Sequence, residues 1–145
     1  MNTRVNIQAK QPAAYKAMYA LEGYLHTAGL SALQLHLIKI RASQINGCAF
    51  CIDMHTKEAL KDGETQQRIF LLNAWKETSL YTPEERIILA ITEEVTLIHK
   101  GGLTDQTYNE AVSLLDEDYI AKVIMAVVAI NGWNRIAIST QLQVV

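Results

Sequence analysis

Cysteine is scarce in this sequence. Two stand among 145 residues, too few for the disulfide framework on which small secreted domains rely. No such framework is needed, because a chain of this length with half its residues hydrophobic buries a sufficient core as one domain, residues 1–145. No charge of one sign dominates. Lys and Arg number 13 against 15 Asp and Glu, for a formal net charge of -2, and no basic stripe is present to neutralise a phosphate backbone. Nucleic acid is therefore not an expected partner. The longest apolar run, Val123 to Ile130, falls far short of the ~20 residues of a membrane span, and Met1 to Lys10 contains nothing resembling a signal peptide. The expectation is a cytoplasmic protein without membrane contact. Thiols in that compartment are kept reduced, so a static structural disulfide is the lesser reading of the cysteine pair.

Proline is confined to positions 12 and 83, and the glycines fall at loop-like places between segments whose apolar residues recur at helical spacing. Strand-like alternation is nearly absent, as are internal repeats. The pattern predicts an all-α, single-domain bundle of about six to seven helices. The first starts at Pro12, carries Tyr15, Met18, Tyr19 and Leu25, and ends at Gly29. Ser31 caps a second that runs through Leu35, Leu37, Ile38 and Ile40 to Asn46-Gly47. A third spans about Cys48 to Leu60 and stops at Lys61-Asp62-Gly63, and a fourth covers Glu64 to about Glu77. Thr82-Pro83-Glu84-Glu85 combines a cap, a first-turn proline and a glutamate three after the cap. It opens a fifth helix ending before Gly101-Gly102. Thr104-Asp105 starts a short sixth, and a seventh runs from Asp116–Asp118 to roughly Ile138. That last segment is apolar nearly all round, which places it at the centre of the bundle or in a subunit interface.

The chemistry sits in the first third. Cys48 and Cys51 are spaced i, i+3 and His55 is i+4 from Cys51, so on a helix all three share one face. Asn46-Gly47 supplies the turn that brings Cys48 among the free N–H groups of a helix start, where the dipole favours a thiolate. Thiolate is the nucleophile, and His55 is positioned to take the proton of Cys51. Cys51 would then attack an oxidant, pass through a sulfenic acid and be resolved by Cys48 as a disulfide. Two other readings stay open: the cysteines pack as small hydrophobes, or a metal is held with completion by His36 or Glu93. A structural zinc site wants four ligands, however, and no second Cys or His pair occurs, so neither metal nor cofactor is expected.

The segment Arg41-Ala42-Ser43-Gln44-Ile45-Asn46-Gly47-Cys48-Ala49-Phe50-Cys51-Ile52-Asp53-Met54-His55 closely resembles the signature of the alkylhydroperoxidase D-like branch of the carboxymuconolactone decarboxylase family. Glu85-Arg86 followed by Glu93 and Thr96 is similar to that family's fifth-helix pattern, and Asn131-Gly132-Trp133-Asn134-Arg135 to its late Asn-x-Trp-Asn-Arg element. The resemblance implies an all-helical subunit of a homo-oligomer, trimer or hexamer, with a C-x-x-C peroxidase or disulfide reductase centre. It also implies that Cys51 is peroxidatic and Cys48 resolving, with a hydroperoxide or disulfide as substrate and an external thiol as reductant. Two departures stand out. Well-studied peroxidase members carry a glutamate twelve residues before the first cysteine, where this chain has His36, and a histidine directly before the second, where it has Phe50.

His36 is either a proton shuttle or a packed histidine among Leu35, Leu37 and Ile38. Glu93 is the candidate to replace the missing carboxylate, or else it pairs with Arg86 or is solvated beside Glu94. Trp133 is expected to fill the core or an interface, and Arg135 to tie down a helix end or pair with a carboxylate. Tyr15, Met18, Tyr19 and Tyr24 are expected to face a neighbouring subunit. The favoured function is a thiol-dependent peroxidase or disulfide reductase. The rivals are a lyase or isomerase of the decarboxylase type, with proton transfer by His36, His55 and Glu93, and a non-catalytic redox-sensing oligomer.

Overall fold

A computed structural model describes residues 4–145; Met1–Thr3, the start of the polar opening segment, lie outside the described residues. The described chain is helical throughout, with α1 (Ile7–Lys10), α2 (Pro12–Thr27), α3 (Ala32–Asn46), α4 (Ala49–Lys61), α5 (Gln66–Phe70), α6 (Pro83–Thr96), α7 (Asp105–Leu114) and α8 (Glu117–Thr140). Two 3₁₀ turns, Leu72–Glu77 and Ile98–Lys100, complete it. Local signals set most boundaries. Pro12 opens α2, Thr82 and Glu85 form a reciprocal capping box on α6, and Thr104 and Asp116 cap α7 and α8 through their side chains.

The count exceeds six to seven for three reasons, of which one is that the expected fifth helix ends at Thr96 and gives way to the 3₁₀ turn Ile98–Lys100. A single turn, α1, capped by Asn6, precedes Pro12. The helix expected over Glu64–Glu77 breaks at Leu71 and continues as a 3₁₀ turn with non-helical dihedrals at Ala74. In a 3₁₀ turn residues i and i+3 eclipse, so tightening the chain here turns Leu72 and Trp75 together into the core.

α3 is the innermost element, packed on α4, α6 and α8, and every residue from Leu35 to Ile40 is buried. Its faces enter two apolar clusters. Leu35, Ile38 and Ala42 join Ile88 and Ile91 of α6 and Val123, Val127 and Ile130 of α8. Leu37 and Ile40 join Leu72, Trp75, Tyr81 and Leu89. Each such Leu, Ile or Val contributes about 1.5–3 kcal/mol of burial. α8 is long and apolar enough, by length and composition, to cross a membrane. In this fold Val123, Val127, Ala129 and Ile130 supply the face that packs into the bundle, while Met125, Val128 and Ile138 remain exposed.

Candidate functional site

The cysteines occupy the joint between α3 and α4. Gly47 ends α3 in the left-handed region, with φ 71°, and the Gly47 and Cys48 amides return to the carbonyls of Gln44 and Ser43 at 3.3 and 3.0 Å. This is the closing pattern a glycine permits at a helix end. Cys48 then caps α4, so no further loop residue separates the helices. The Asn-x-Trp-Asn-Arg element of α8 pins this joint. Asn134, 0% exposed, donates to Ser43 Oγ at 2.9 Å, and Asn46 Nδ2 donates to the side-chain oxygens of Asn131 and Asn134, both at 2.9 Å.

Cys48 and Cys51 are joined as a disulfide, with Cα atoms 5.3 Å apart. Both are buried, at 1% and 2% exposure, but their positions differ. Cys48 Sγ accepts the Cys51 N–H at 3.4 Å, at the positive end of α4. Cys51 instead lines a cavity of about 460 Å³, together with His55. Cys51 is thus the cysteine on the cavity side, while the helix start would favour negative charge on a reduced Cys48.

Phe50, Tyr15, Tyr19 and Trp133 give the cavity an aromatic wall. Trp133 meets Tyr15 edge-on at 5.3 Å between ring centres. Its indole Nε1 donates to Glu22 Oε1 at 3.0 Å, and Lys39 Nζ donates to Glu22 Oε2 at 2.8 Å. Glu22 therefore bridges α8 and α3 beneath the wall. His55 Nδ1 lies 2.9 Å from Glu58 Oε2. That carboxylate holds the Nδ1 proton, leaving Nε2 with the lone pair. Burial depresses the His55 pKa below the usual 6.5, outweighing the Glu58 hydrogen bond that raises it, and the Lys39 charge adds to the depression. Neutral imidazole, the form needed to accept a thiol proton, is favoured.

Of the residues singled out in the sequence, Cys51 and His55 meet at the cavity, with Cys48 directly behind. His36 and Glu93 are not brought there. His36 Nε2 lies 2.7 Å from Asp62 Oδ2, and its buried Nδ1 has no partner among the described residues. Glu93 is occupied by Trp75 Nε1 at 2.7 Å, Arg41 at 3.0 Å and Lys76 at 3.0 Å. Burial alone would raise its pKa, but these three donors outweigh it and hold the carboxyl below its usual value. Arg86 pairs with neither Glu93 nor another acid; it donates to the carbonyls of Trp75, Lys76 and Thr78. Arg135 reaches Asn131 rather than a carboxylate. Tyr15 and Tyr19 line the cavity, and Tyr19 and Tyr24 are exposed. Among the described residues no cluster of three or more His, Cys, Asp or Glu could hold a metal ion.

Glu22, Lys39 and Glu58 are the polar groups that sequence reasoning missed. A signal existed for two of them. Glu58 follows His55 at i+3, a spacing that lets helical side chains meet, and Lys39 is a lone cation inside Leu37-Ile38-Lys39-Ile40.

Known proteins resemble the chain along nearly its full length. The model of the carboxymuconolactone decarboxylase family matches residues 12–94. The uncharacterized protein YdfG of Bacillus subtilis (strain 168) is 42% identical over 139 residues, covering 96% of this chain and 95% of that protein. A solved protein of unknown function from Agrobacterium tumefaciens, provisionally named an antioxidant defence protein AhpD, is 43% identical. It superposes with a TM-score of 0.93 over 98% of this chain and 97% of its own. The debrominase Bmp8, 15% identical, shares the fold with a TM-score of 0.85 over 95% of this chain and 74% of its own. The chain belongs to the carboxymuconolactone decarboxylase family, in its alkylhydroperoxidase D-like branch.

Proposed function

We propose that the protein is a thiol-dependent peroxidase or disulfide reductase in which Cys51 attacks the substrate, Cys48 resolves and His55 takes the thiol proton. The observation that carries this reading is that Cys51 and His55 line one cavity while Cys48 sits behind it, at the helix start. Cys51 thiolate attacks the terminal oxygen of a hydroperoxide; the S–O bond forms, the O–O bond breaks, and sulfenic acid and an alcohol result. Cys48 then attacks the Cys51 sulfur, releasing water and forming the disulfide. Two external thiols regenerate the pair: the first attacks the Cys51 sulfur to give a mixed disulfide, and the second attacks the external sulfur of that intermediate, freeing Cys51 and leaving as the oxidised disulfide. In the first attack Cys48 departs as a thiolate, which the α4 start and the Cys51 N–H stabilise. The setting we envisage is a cytoplasmic homo-oligomer, trimer or hexamer.

The charge of the cavity favours a neutral substrate over a lactone acid. Glu22 and Glu58 outnumber Lys39 on its walls, so an entering carboxylate meets more negative than positive charge around Cys51. A neutral apolar hydroperoxide or disulfide suits the aromatic wall. The experiment is to reduce the protein fully, add cumene hydroperoxide and count free thiols against peroxide consumed. Loss of two thiols per chain with matching consumption, abolished in Cys51→Ser, is the expected result. Turnover that survives Cys51→Ser would overturn it; thiols that react with neither the hydroperoxide nor a disulfide would do the same, and thiols that react with the disulfide alone would leave the reductase.

A further inference from the structure

We propose that Lys39 is a catalytic residue that donates the proton to the oxygen leaving a hydroperoxide; this rests on the peroxidase reading above. Lys39 is 3% exposed, yet it lines the cavity that holds Cys51 and His55. A buried ammonium is costly, and a buried ion pair is weak evidence for a purely stabilising role. Glu22, its one side-chain partner, is independently anchored by Trp133 Nε1 at 3.0 Å and approached by His26 at 3.7 Å. One ammonium proton engages Glu22 at 2.8 Å. An ammonium carries three, so two remain.

The reaction needs a proton donor besides the base that serves the sulfur. In-line displacement places the departing oxygen on the side of the peroxide away from sulfur. His55, on the same helix as Cys51, serves the sulfur end, and its Nδ1 proton is held by Glu58. Lys39 projects from the neighbouring helix α3. As the O–O bond breaks, an alkoxide forms, takes a proton from the Lys39 ammonium and leaves as alcohol. The thiol proton, accepted by His55, returns through water to the Lys39 amine, because a free amine is a stronger base than an imidazole. One proton leaves the thiol and one reaches the alcohol, so the site is restored. Electrons flow from sulfur to oxygen and no further co-reactant is needed.

A departing group that needs no proton separates this role from a structural one. The reduced full chain is reacted with tert-butyl hydroperoxide, whose alkoxide is a poor leaving group, and with 4,4′-dithiodipyridine, which is neutral and whose leaving group departs unprotonated. Lys39→Met should slow the hydroperoxide reaction by about 100-fold, the lower end of general-acid effects, and the dithiodipyridine reaction by no more than about threefold. Glu22→Gln/Lys39→Met, which leaves no unpaired buried charge, should show the same divergence if the single variant folds poorly. Equal losses with both reagents, or no loss with either, would overturn the proposal. A wild-type protein that reacts with dithiodipyridine and not with hydroperoxide would overturn the peroxidase reading itself, and this proposal with it.

Discussion

Glu58 Oε2 and His55 Nδ1 lie 2.9 Å apart, one helical turn along α4, and that contact decides which imidazole nitrogen is basic. Removing the carboxylate frees the ring to rotate and to change tautomer. Glu58→Leu should lower the hydroperoxide rate by roughly tenfold, a modest part of an acid–base contribution because Glu58 acts only through His55. Burst kinetics on the reduced protein measure this. Glu58→Gln, which can still hydrogen-bond the ring, should recover part of the loss.

His55 also ties stability to pH. Folded His55 binds a proton less readily than the unfolded chain does, because burial lowers its pKa below 6.5. Between 6.5 and that lower value the unfolded state holds more protons, so stability falls as pH drops through the window and is complete above it. Urea midpoints of the oxidised protein at pH 7.5, 6.5 and 5.5 should decline more steeply for wild type than for His55→Asn. Parallel declines would assign the acid sensitivity to other groups.

Asn134 is expected to matter for the redox joint despite lying outside the cavity. Asn134→Leu removes the donor to Ser43 Oγ, which still donates to the Lys39 carbonyl, and the acceptor of one Asn46 amide hydrogen, both close to Gly47. The cost should be about 1–3 kcal/mol, the range for unsatisfied buried polar groups, read from urea unfolding. Asn134→Asp retains the acceptor for Asn46 and should be the milder change if the Asn46 contact carries the larger share.

Glu93 should prove structural. Its pKa is lowered by the Trp75, Lys76 and Arg41 hydrogen bonds against the opposing effect of burial, so its stabilisation is present above the ordinary carboxylate range and is lost as pH falls through the lowered value. Glu93→Gln should reduce the urea midpoint at pH 7 and flatten its acid dependence, with the rate of thiol oxidation unchanged within about twofold. A large rate loss in a stable variant would return Glu93 to the reaction.

Local interactions were legible in the sequence and distant ones were not. The Thr82–Glu85 box and the Cys51–His55 spacing each lie within four residues, so helical geometry alone reveals them. The break before Trp75 depends on where Leu72 and Trp75 find a core, and on Glu93 of another helix accepting the indole N–H. No local signal marks it. That Lys39 is set among apolar residues was legible, but that it and not His36 reaches the cavity was not, because α3 is buried through Leu35–Ile40 and its pattern indicates no preferred face. Glu22 is joined to Trp133 across 111 positions, a pairing that only the folded chain presents.

The joint at Gly47 has a mechanical consequence. With Gly47 and Cys48 alone between α3 and α4, there is no slack in which a change at the sulfurs could be absorbed. Opening or closing the Cys48–Cys51 bond acts on two rigid rods that share one pivot, and α4 carries Met54, His55 and Glu58 of the cavity on its shaft. Any change at the sulfurs is therefore felt first at the pivot of the helix that bears this wall.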